Sequence, residues 1–552
     1  MQLNRTLLDD IQLSDMYDRI DNNSQTRGSY NHIFYVLRLH PEVHNILSRV
    51  ASGENTDDLI EGEISQATST LFHENLHWWQ YIGSTSGLIM SLSLPAQISS
   101  SLTYFKQYLN LSGNKKPITI YSDNNPRDNI TDDPEFMAIN HILNNFHDVL
   151  YYKYRVKRPS YIKKAYKEKY FESIGHAFHI SYSTSVSLLA TTFDKGFSFL
   201  PNPDTWGEGF KDLTERKVED FYYDSKIWLP PIGTEDLFEG QARFNQILFL
   251  HLKSKKTLDW FQFEQAGMLH GVYYSAFELF LKILNEQRPA SVDSPLVALY
   301  LLLIDIAINP AEGFPFTIEH YEDFVKDTDP GIRFMNLCNA VKENFPEFKG
   351  IINEYSREEY WTISNSLCEY LDIHSPYECL SELADWCGKQ ESIIELLKQN
   401  KAFIYNSENL VVRLIFGRFL SFQQDKINNP EFFCWPGIYL NEERKSKITD
   451  ELYLKHQAIF KENINMDIAP SMLPGIDEKT LKDTAGFFYG GVTVYELCRQ
   501  WILEPGGFKY NLQWLSNTYS REEMEDWLKT NFIEVFGVSP DDFEIITPVQ
   551  SS

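Results

Sequence analysis

Apolar residues along most of the chain recur three and four positions apart, which is the spacing of one face of an α-helix. One such run is Phe277, Phe280, Leu281 and Leu284. The alternation of apolar and polar residues that is typical of a strand is rare and short. The sequence therefore predicts a mainly α fold, in which a small sheet would make the arrangement α+β.

The longest apolar run extends from Leu296 to Ile308 and is interrupted by Asp305. It is shorter than the roughly 20 residues that a helix needs to cross a bilayer. We therefore expect a buried helix at this position and no membrane span.

Polar, turn-rich segments interrupt the helical pattern and indicate loops and boundaries. They lie near Ser112–Asp133, Pro201–Gly233, Asp327–Gly331, Ile427–Lys447 and Asn463–Glu478. The change from an apolar helix to an acidic turn between Pro315 and Pro330 predicts a division near residue 325. We expect two parts, residues 1–325 and residues 326–552, of which the second carries no catalytic signature and has an unknown role.

The composition predicts a globular protein that does not bind nucleic acid. Of the 552 residues, 43% are hydrophobic and 14% aromatic, which provides ample apolar surface for a core. The formal net charge of -27 repels phosphate backbones and anionic membrane surfaces. The start, Met1–Asp10, lacks the pattern of a secretory signal, and the six cysteines include no CxxC pair. We therefore expect a cytoplasmic protein with reduced thiols, without a membrane or nucleic-acid partner.

A helix with unusual polar residues is predicted between Glu63 and Ile82, where the sequence contains no proline or glycine. Gly83 is the expected stop. Within this stretch His73, Glu74 and His77 form the sequence HExxH. Positions four apart lie on the same helical face, so the two imidazoles can bind one metal ion. Zinc lowers the pKa of a bound water towards 7, and the adjacent carboxylate can then accept its proton.

This pattern resembles the active-site helix of zincin metallopeptidases. The resemblance implies that His73 and His77 are zinc ligands, that Glu74 is the catalytic general base, and that Zn²⁺ is the cofactor. It implies a zincin-like domain within residues 1–325 and zinc-dependent hydrolysis of a peptide or protein substrate. An intracellular protease needs restraint, so we also expect regulation, for example by a protein partner.

The resemblance leaves the third zinc ligand to be found. The metzincin extension HExxHxxGxxH is absent, because residue 80 is Gln and residue 83 is Gly. Gln80 could instead orient a ligand or lie exposed. A glutamate from a second helix, as in gluzincins, remains, and Glu239 in residues 233–244 resembles the EGxA segment that carries this ligand in some gluzincin-like families. Thr234 is a candidate cap for its helix, and the small Gly240 and Ala242 would permit close approach to the HExxH helix.

Two further features bear on the third ligand. Glu239 follows His77 by 162 residues, which is long for this class and implies inserted helices that could occlude the site. Glu172, His176 and His179 would share one face of a helix, and this group could supply the third ligand instead.

Two other functions stay open. The chain could be a non-catalytic helical interaction or scaffold protein that keeps a zincin-like helix for packing. Glu74 and His77 also form an ExxH, half of the signature of a di-iron carboxylate oxygenase. The chain contains no second ExxH, which argues against the di-iron site.

Overall fold

The computed structural model describes residues 1, 3–4, 7, 27–53, 59, 61–126, 133–465, 467–510, 515–516 and 518–549. It is 66% helical with a small mixed sheet, which confirms the predicted mainly α fold. The helices up to residue 307 are α1 Pro41–Ser52, α2 Glu61–Gly83, α3 Thr85–Ser112, α4 Ile118–Asn124, α5 Pro134–Lys157, α6 Ile162–Ala165, α7 Ile174–Phe193, α8 Gly207–Glu215, α9 Thr234–Lys253, α10 Trp260–Gln265, α11 Ser275–Leu284 and α12 Pro295–Ala307.

The helices after residue 307 are shorter on average and include several connectors of four or five residues. They are α13 Phe324–Thr328, α14 Pro330–Asn344, α15 Arg357–Leu371, α16 Pro376–Lys389, α17 Glu391–Ala402, α18 Leu410–Asn428, α19 Pro430–Cys434, α20 Pro436–Tyr439, α21 Lys447–Lys455, α22 Glu478–Leu503 and α23 Arg521–Phe536. The strands are β1 Gly28–Asn31, β2 Val36–Leu39, β3 Lys115–Lys116, β4 Phe460–Glu462, β5 Ile468–Pro470 and β6 Glu544–Ile545.

Four of the strands form one sheet in the order β1-β2-β4-β5. Strands β1 and β2 form an antiparallel hairpin in which Gly28 pairs with Leu39. Strand β2 pairs in parallel with β4, so that Val36 faces Phe460, and β4 and β5 are antiparallel. The sheet therefore joins the beginning of the described chain to a segment more than 400 residues later.

Helix α2 lies at the centre of the packing that positions the candidate functional residues. It contacts α9 most extensively, and also α1, α3, α18 and the β1–β2 hairpin. It ends at the predicted Gly83, and Ser84 caps α3 by accepting a hydrogen bond from Gly87 N at 3.0 Å. A Cβ at Gly87 would lie 1.9 Å from Gln80 O, so the tight corner between α2 and α3 requires glycine there.

Helix α12 confirms the buried helix predicted for the longest apolar run. Its residues from Leu296 to Ala307 are all buried. Asp305, the charge within the run, accepts hydrogen bonds from Lys426 Nζ at 2.7 Å and from Tyr360 Oη at 2.6 Å. Among the helices of the described residues, none combines the length and the apolar character needed to span a bilayer.

The prediction of a simple loop near Ser112–Asp133 was wrong in part. The segment contains β3 and α4, while residues 127–132 lie outside the described part. Residues far along the chain hold this segment in place. Lys116 Nζ donates hydrogen bonds to the carbonyl oxygens of Glu504 at 2.7 Å and Gly506 at 2.8 Å. A local sequence pattern contains no sign of such contacts.

Residues on both sides of the predicted division near residue 325 surround α2. Ala458 N donates to Asn75 Oδ1 at 2.7 Å, and Trp79 Nε1 donates to His456 O at 2.8 Å. The division into residues 1–325 and 326–552 stays a prediction.

Candidate metal centre

The two histidines of the HExxH sequence face each other across one turn of α2. Their Nε2 atoms are 3.1 Å apart, and the ring planes are nearly perpendicular at 84°. Both side chains are buried, with 3% of His73 and 7% of His77 exposed. The helix therefore presents two nitrogen donors at one point, as the spacing predicts.

Glu239 on α9 completes the group. Its Oε2 lies 3.3 Å from His73 Nε2 and 3.3 Å from His77 Nε2. Glu239 keeps 27% of its side chain exposed, so the group borders on solvent at this point. His73, His77 and Glu239 are the first of two groups of described residues whose ligand atoms converge as in a metal site.

The three distances match those between ligands of one tetrahedral ion. Donor atoms at 2.0–2.1 Å from zinc in a tetrahedral site are about 3.3–3.4 Å from one another. The observed separations are 3.1, 3.3 and 3.3 Å. Two imidazole nitrogens and one carboxylate oxygen are also a donor set that zinc accepts, so these residues fit such an ion without rearrangement.

Helix α9 differs from its predicted start and packing. Gly233, not Thr234, is the N-cap, and Thr234 Oγ1 donates to Val156 O of α5 at 3.3 Å. The prediction that Gly240 permits approach to α2 was also wrong. A Cβ at Gly240 would lie 2.3 Å from Tyr300 Oη, so this glycine makes room for α12.

Gln80 fixes the tautomer of His77. Its Nε2 donates to Phe238 O at 2.8 Å and to Gln241 Oε1 at 2.9 Å, which leaves Oε1 as an acceptor. This Oε1 lies 2.8 Å from His77 Nδ1, so Nδ1 carries the proton. Nε2 then faces Glu239 and is the ring nitrogen that would bind a metal, which displaces any proton on it. Gln80 is buried, with 3% exposed, and of its two predicted roles the orienting one agrees with this geometry.

The two histidines of the group have different pKa values. Burial lowers the pKa of His73 to about 4. Burial also disfavours the charged form of His77, but the Glu239 carboxylate outweighs it and raises the pKa of His77 to about 9. Against the effect of burial, His77 and His73 hold the pKa of Glu239 well below its usual range. The carboxylate is therefore ionised, as a ligand must be.

Glu74 lies between α2 and strand β1. It is buried, with 3% exposed. A Cβ at Gly28 of β1 would lie 2.5 Å from Glu74 Oε1, so the strand backbone approaches this carboxylate closely. The predicted base is thus confined by the hairpin on one side.

The alternative third ligand, Glu172, lies elsewhere. It precedes the N-cap Ser173 of α7 and therefore does not belong to the helix that contains His176 and His179. Its Oε2 is 3.5 Å from His176 Nε2, and His176 Nδ1 is 3.2 Å from Asp148 Oδ1. The structure brings Glu239, and not Glu172, to the two imidazoles of α2.

Tyr273 and Arg243 lie beside His73, and the sequence alone did not indicate that these two residues would meet. The ring of Tyr273 lies 6.1 Å from that of His73, and the guanidinium of Arg243 lies 4.0 Å above the Tyr273 ring. Arg243 is buried and donates to Gln246 Oε1 at 2.6 Å. Tyr273 belongs to a short 3-10 turn, Gly271–Tyr273, for which no motif exists in the sequence. Both are candidates for stabilising negative charge on a substrate.

The second convergent group is Glu312, Glu319 and His374. His374 Nε2 is 3.7 Å from Glu312 Oε1, and Glu319 is exposed.

Comparisons of the chain with protein-family models, with curated proteins and with solved structures found no match.

Proposed function

We propose that the protein is a zinc-dependent peptidase in which His73, His77 and Glu239 hold the ion. The observation that carries the proposal is the convergence of three donor atoms at 3.1–3.3 Å, two of them from a HExxH helix. Glu239 belongs to a second helix, an arrangement similar to that of gluzincins. The function is thus supported by geometry and by the resemblance of one helix.

In this proposal Glu74 moves the proton. Zinc, when bound, acidifies water and stabilises negative charge on a carbonyl oxygen. Glu74 accepts a proton from the attacking water as its oxygen bonds to the peptide carbonyl carbon. It then delivers that proton to the amide nitrogen as the C–N bond breaks, which yields a carboxylic acid and an amine; at neutral pH the acid loses its proton to the amine or to solvent. Tyr273 and Arg243 are proposed as donors to the carbonyl oxygen.

The proposal also covers the cellular location of the protein and the access to its site. The six cysteines are buried and unpaired, which suits a reducing compartment, so we propose a cytoplasmic location. Helices α3–α8 lie between His77 and Glu239 in sequence, and we propose that they or a protein partner restrict access to the site.

The test measures metal content and peptide hydrolysis separately. Full-length protein purified without chelator should contain about one zinc ion at the His73 site and hydrolyse a mixed peptide library, detected as released amines. Glu74→Gln should keep the zinc and lose about 10²–10⁴-fold in kcat, because the amide cannot accept a proton. His73→Ala should lose both.

His179→Ala is the matched control, since the His179 ring stacks on Phe210 at 4.3 Å in a different part of the fold. It should keep both zinc and turnover. A metal-free wild-type chain whose His73→Ala variant folds normally would instead support the scaffold function, and two iron ions per chain would support the di-iron oxygenase.

A further inference from the structure

The second convergent group, Glu312, Glu319 and His374, joins two segments that are separate in sequence. Glu312 and Glu319 lie in the segment between α12 and α13, and His374 lies in the corner between α15 and α16. One ligand atom from each residue lies within 4.8 Å of the other two. The group therefore brings together an imidazole and two carboxylates on elements other than α2 and α9.

The imidazole of His374 is oriented by packing. Its ring stacks on that of Phe316, with the ring centres 4.2 Å and the planes 27° apart. Its Nε2 lies 3.7 Å from Glu312 Oε1, and its Nδ1 lies 3.8 Å from Glu378 Oε2. Both distances are longer than a hydrogen bond, so the stacked ring directs Nε2 towards Glu312 without donating a proton to it.

Glu312 is a mostly buried carboxylate. Its side chain is 12% exposed, and its Oε2 accepts a hydrogen bond from Glu319 N at 2.9 Å. In the described part of the chain, no lysine or arginine forms an ion pair with Glu312 or Glu319. Burial raises the pKa of Glu312. A carboxylate in such a place, next to a second carboxylate, is destabilised unless a cation approaches it.

The donor atoms suit a first-row metal ion. Imidazole nitrogen is a common ligand of Zn²⁺ and carboxylate oxygen of Mn²⁺, whereas Mg²⁺ and Ca²⁺ take oxygen ligands. Ligand atoms at about 2.0–2.2 Å from one ion lie about 3–4.4 Å apart, depending on whether they are adjacent or opposite. The 3.7 Å between His374 Nε2 and Glu312 Oε1 falls in this range. Glu319 is exposed, so its side chain is free to move towards the ion.

We propose that Glu312, Glu319 and His374 bind a divalent ion, Mn²⁺ or Zn²⁺, that holds the α12–α13 segment against the α15–α16 corner. The ion supplies the positive charge that the carboxylates lack. Its donor atoms are less closely arranged than those of the His73 group, so this second site is the weaker of the two and fills when metal is added. It requires neither an ion at His73 nor peptide hydrolysis.

The segment that carries Glu312 also supports the corner that follows the HExxH helix. Ser86 N donates to Ile308 O at 3.2 Å, and Thr85 N donates to Asn309 Oδ1 at 3.3 Å. Both donors lie at the start of α3. An ion at Glu312 thus fixes the chain a few residues from these contacts, and it has a structural role.

The experiment counts ions on the full-length protein. Metal-free His73→Ala protein, which lacks a ligand of the first site, is titrated with Mn²⁺ and with Zn²⁺ in a calorimeter. We expect one ion per chain for at least one of the two metals, and two zinc ions on the wild type. Mg²⁺ and Ca²⁺ should bind at least 10-fold more weakly, because imidazole is not among their usual ligands.

Variants in the His73→Ala background test the ligands. His374→Ala should lower the affinity at least 10-fold, because it removes the nitrogen donor. Glu312→Gln should do the same, because the amide still accepts from Glu319 N but carries no charge. His320→Ala is the matched control, since His320 lies in the same segment, is exposed and is not a member of the group. It should bind the ion as tightly as its parent.

A second measurement avoids the His73→Ala background, in case that variant does not fold. In the otherwise wild-type chain, His374→Ala should reduce the zinc content at saturation from two ions to one. Saturation of the wild type by one ion, or equal affinities of His374→Ala and its parent, would overturn the second site. A chain that binds both ions and hydrolyses no peptide would refute the peptidase and keep this site. Hydrolysis by a chain that binds a single ion would do the opposite.

Discussion

At the scale of single residues, Gln80 connects the two helices that carry the proposed metal ligands. Its Oε1 holds His77, and its Nε2 donates to the carbonyl of Phe238, the residue before Glu239. A hydrogen bond to the far nitrogen of a ligating histidine fixes the ring and increases its basicity. In the proposed site, Gln80 would therefore position the ligands without binding the metal.

Gln80→Ala should weaken zinc binding about 10–100-fold, because His77 Nδ1 loses its acceptor. Gln80→Glu keeps an acceptor oxygen and should restore most of the affinity. Competition with a chromogenic chelator measures both. Gln423→Ala removes another buried amide, which donates to Gly83 O at 2.9 Å, and should leave zinc affinity unchanged. Equal affinities for Gln80→Ala and wild type would contradict the positioning role.

Gly28 offers a second test at a single position. A methyl group there would meet the Glu74 carboxylate, so Gly28→Ala should displace the base and lower kcat at least 10-fold while zinc content stays the same. Gly207→Ala is the control, since a Cβ at Gly207 meets no atom within 4 Å. Steady-state kinetics with metal analysis of both variants checks this, and an unchanged kcat in Gly28→Ala would remove the constraint on Glu74.

The residues of the candidate site differ in how well the sequence predicts them. His73 and His77 are four positions apart on one helix, so their convergence follows from helical periodicity alone. Glu239 comes from another helix, and only its resemblance to the EGxA segment singled it out. Tyr273 depends on the packing of a short turn after α10, for which local sequence gives no signal.

At the scale of elements, the C-terminal end of α9 is held by an ion pair far from the candidate metal centre. His251 Nδ1 donates to Leu258 O at 2.5 Å, and its Nε2 lies 3.6 Å from Asp293 Oδ2. Burial disfavours the charged imidazole, but Asp293 outweighs it and raises the pKa of His251. The His251 imidazolium in turn lowers the pKa of Asp293.

These shifts predict a pH dependence of stability. A raised histidine pKa stabilises the fold below the unfolded value of about 6.5, and this contribution is lost as the pH rises through the folded pKa. The lowered pKa of Asp293 adds stability above about 3.9 that is lost on acidification. Asp293→Asn should therefore destabilise the protein more at pH 5.5 than at pH 9, by on the order of 1 kcal/mol.

Thermal unfolding at the two pH values measures this difference. Asp123→Asn is the control, because Asp123 pairs with Lys169 on the surface, where each side chain is 57% exposed. It should show no such dependence. Equal destabilisation by Asp293→Asn at both pH values would mean that His251 is not charged in the folded protein.

Element boundaries show where sequence patterns succeed and fail. Gly83 ends α2 as predicted, because a glycine after an apolar helix is a local signal. The start of α9 was misplaced by one residue, since the hydroxyl of Thr234 is used by α5. When a side chain has two available hydrogen-bond partners, the sequence does not show which of them it will use.

At the scale of the whole molecule, distant segments complete the surroundings of the HExxH helix. Asn75, inside the HExxH sequence, donates to Tyr453 Oη at 3.2 Å and accepts from Ala458 N at 2.7 Å. The sequence predicted a helical fold from local periodicity. It did not predict these hydrogen bonds or the β2–β4 pairing, because contacts between residues hundreds of positions apart leave no periodic pattern in the local sequence.

A fragment comprising residues 1–325 tests the predicted division. We expect it to bind zinc at least 10-fold more weakly than the full chain, because the buried polar atoms of Asn75 and Trp79 lose their partners. Adding a separately produced fragment of residues 326–552 should restore affinity. Isothermal titration of the fragment alone, the mixture and the full chain measures this. Full affinity in the fragment alone would show that residues 1–325 fold independently.

His77 and Glu239 lie 162 positions apart in the sequence, so an ion bound by both would link distant parts of the chain. A shared ion would act as a cross-link that closes a loop of this length and removes much conformational freedom from the unfolded chain. Because only the folded form would bring the three donors together, the melting temperature would rise with the logarithm of free zinc concentration. The supply of zinc in the cell would then set how long each copy of the chain survives.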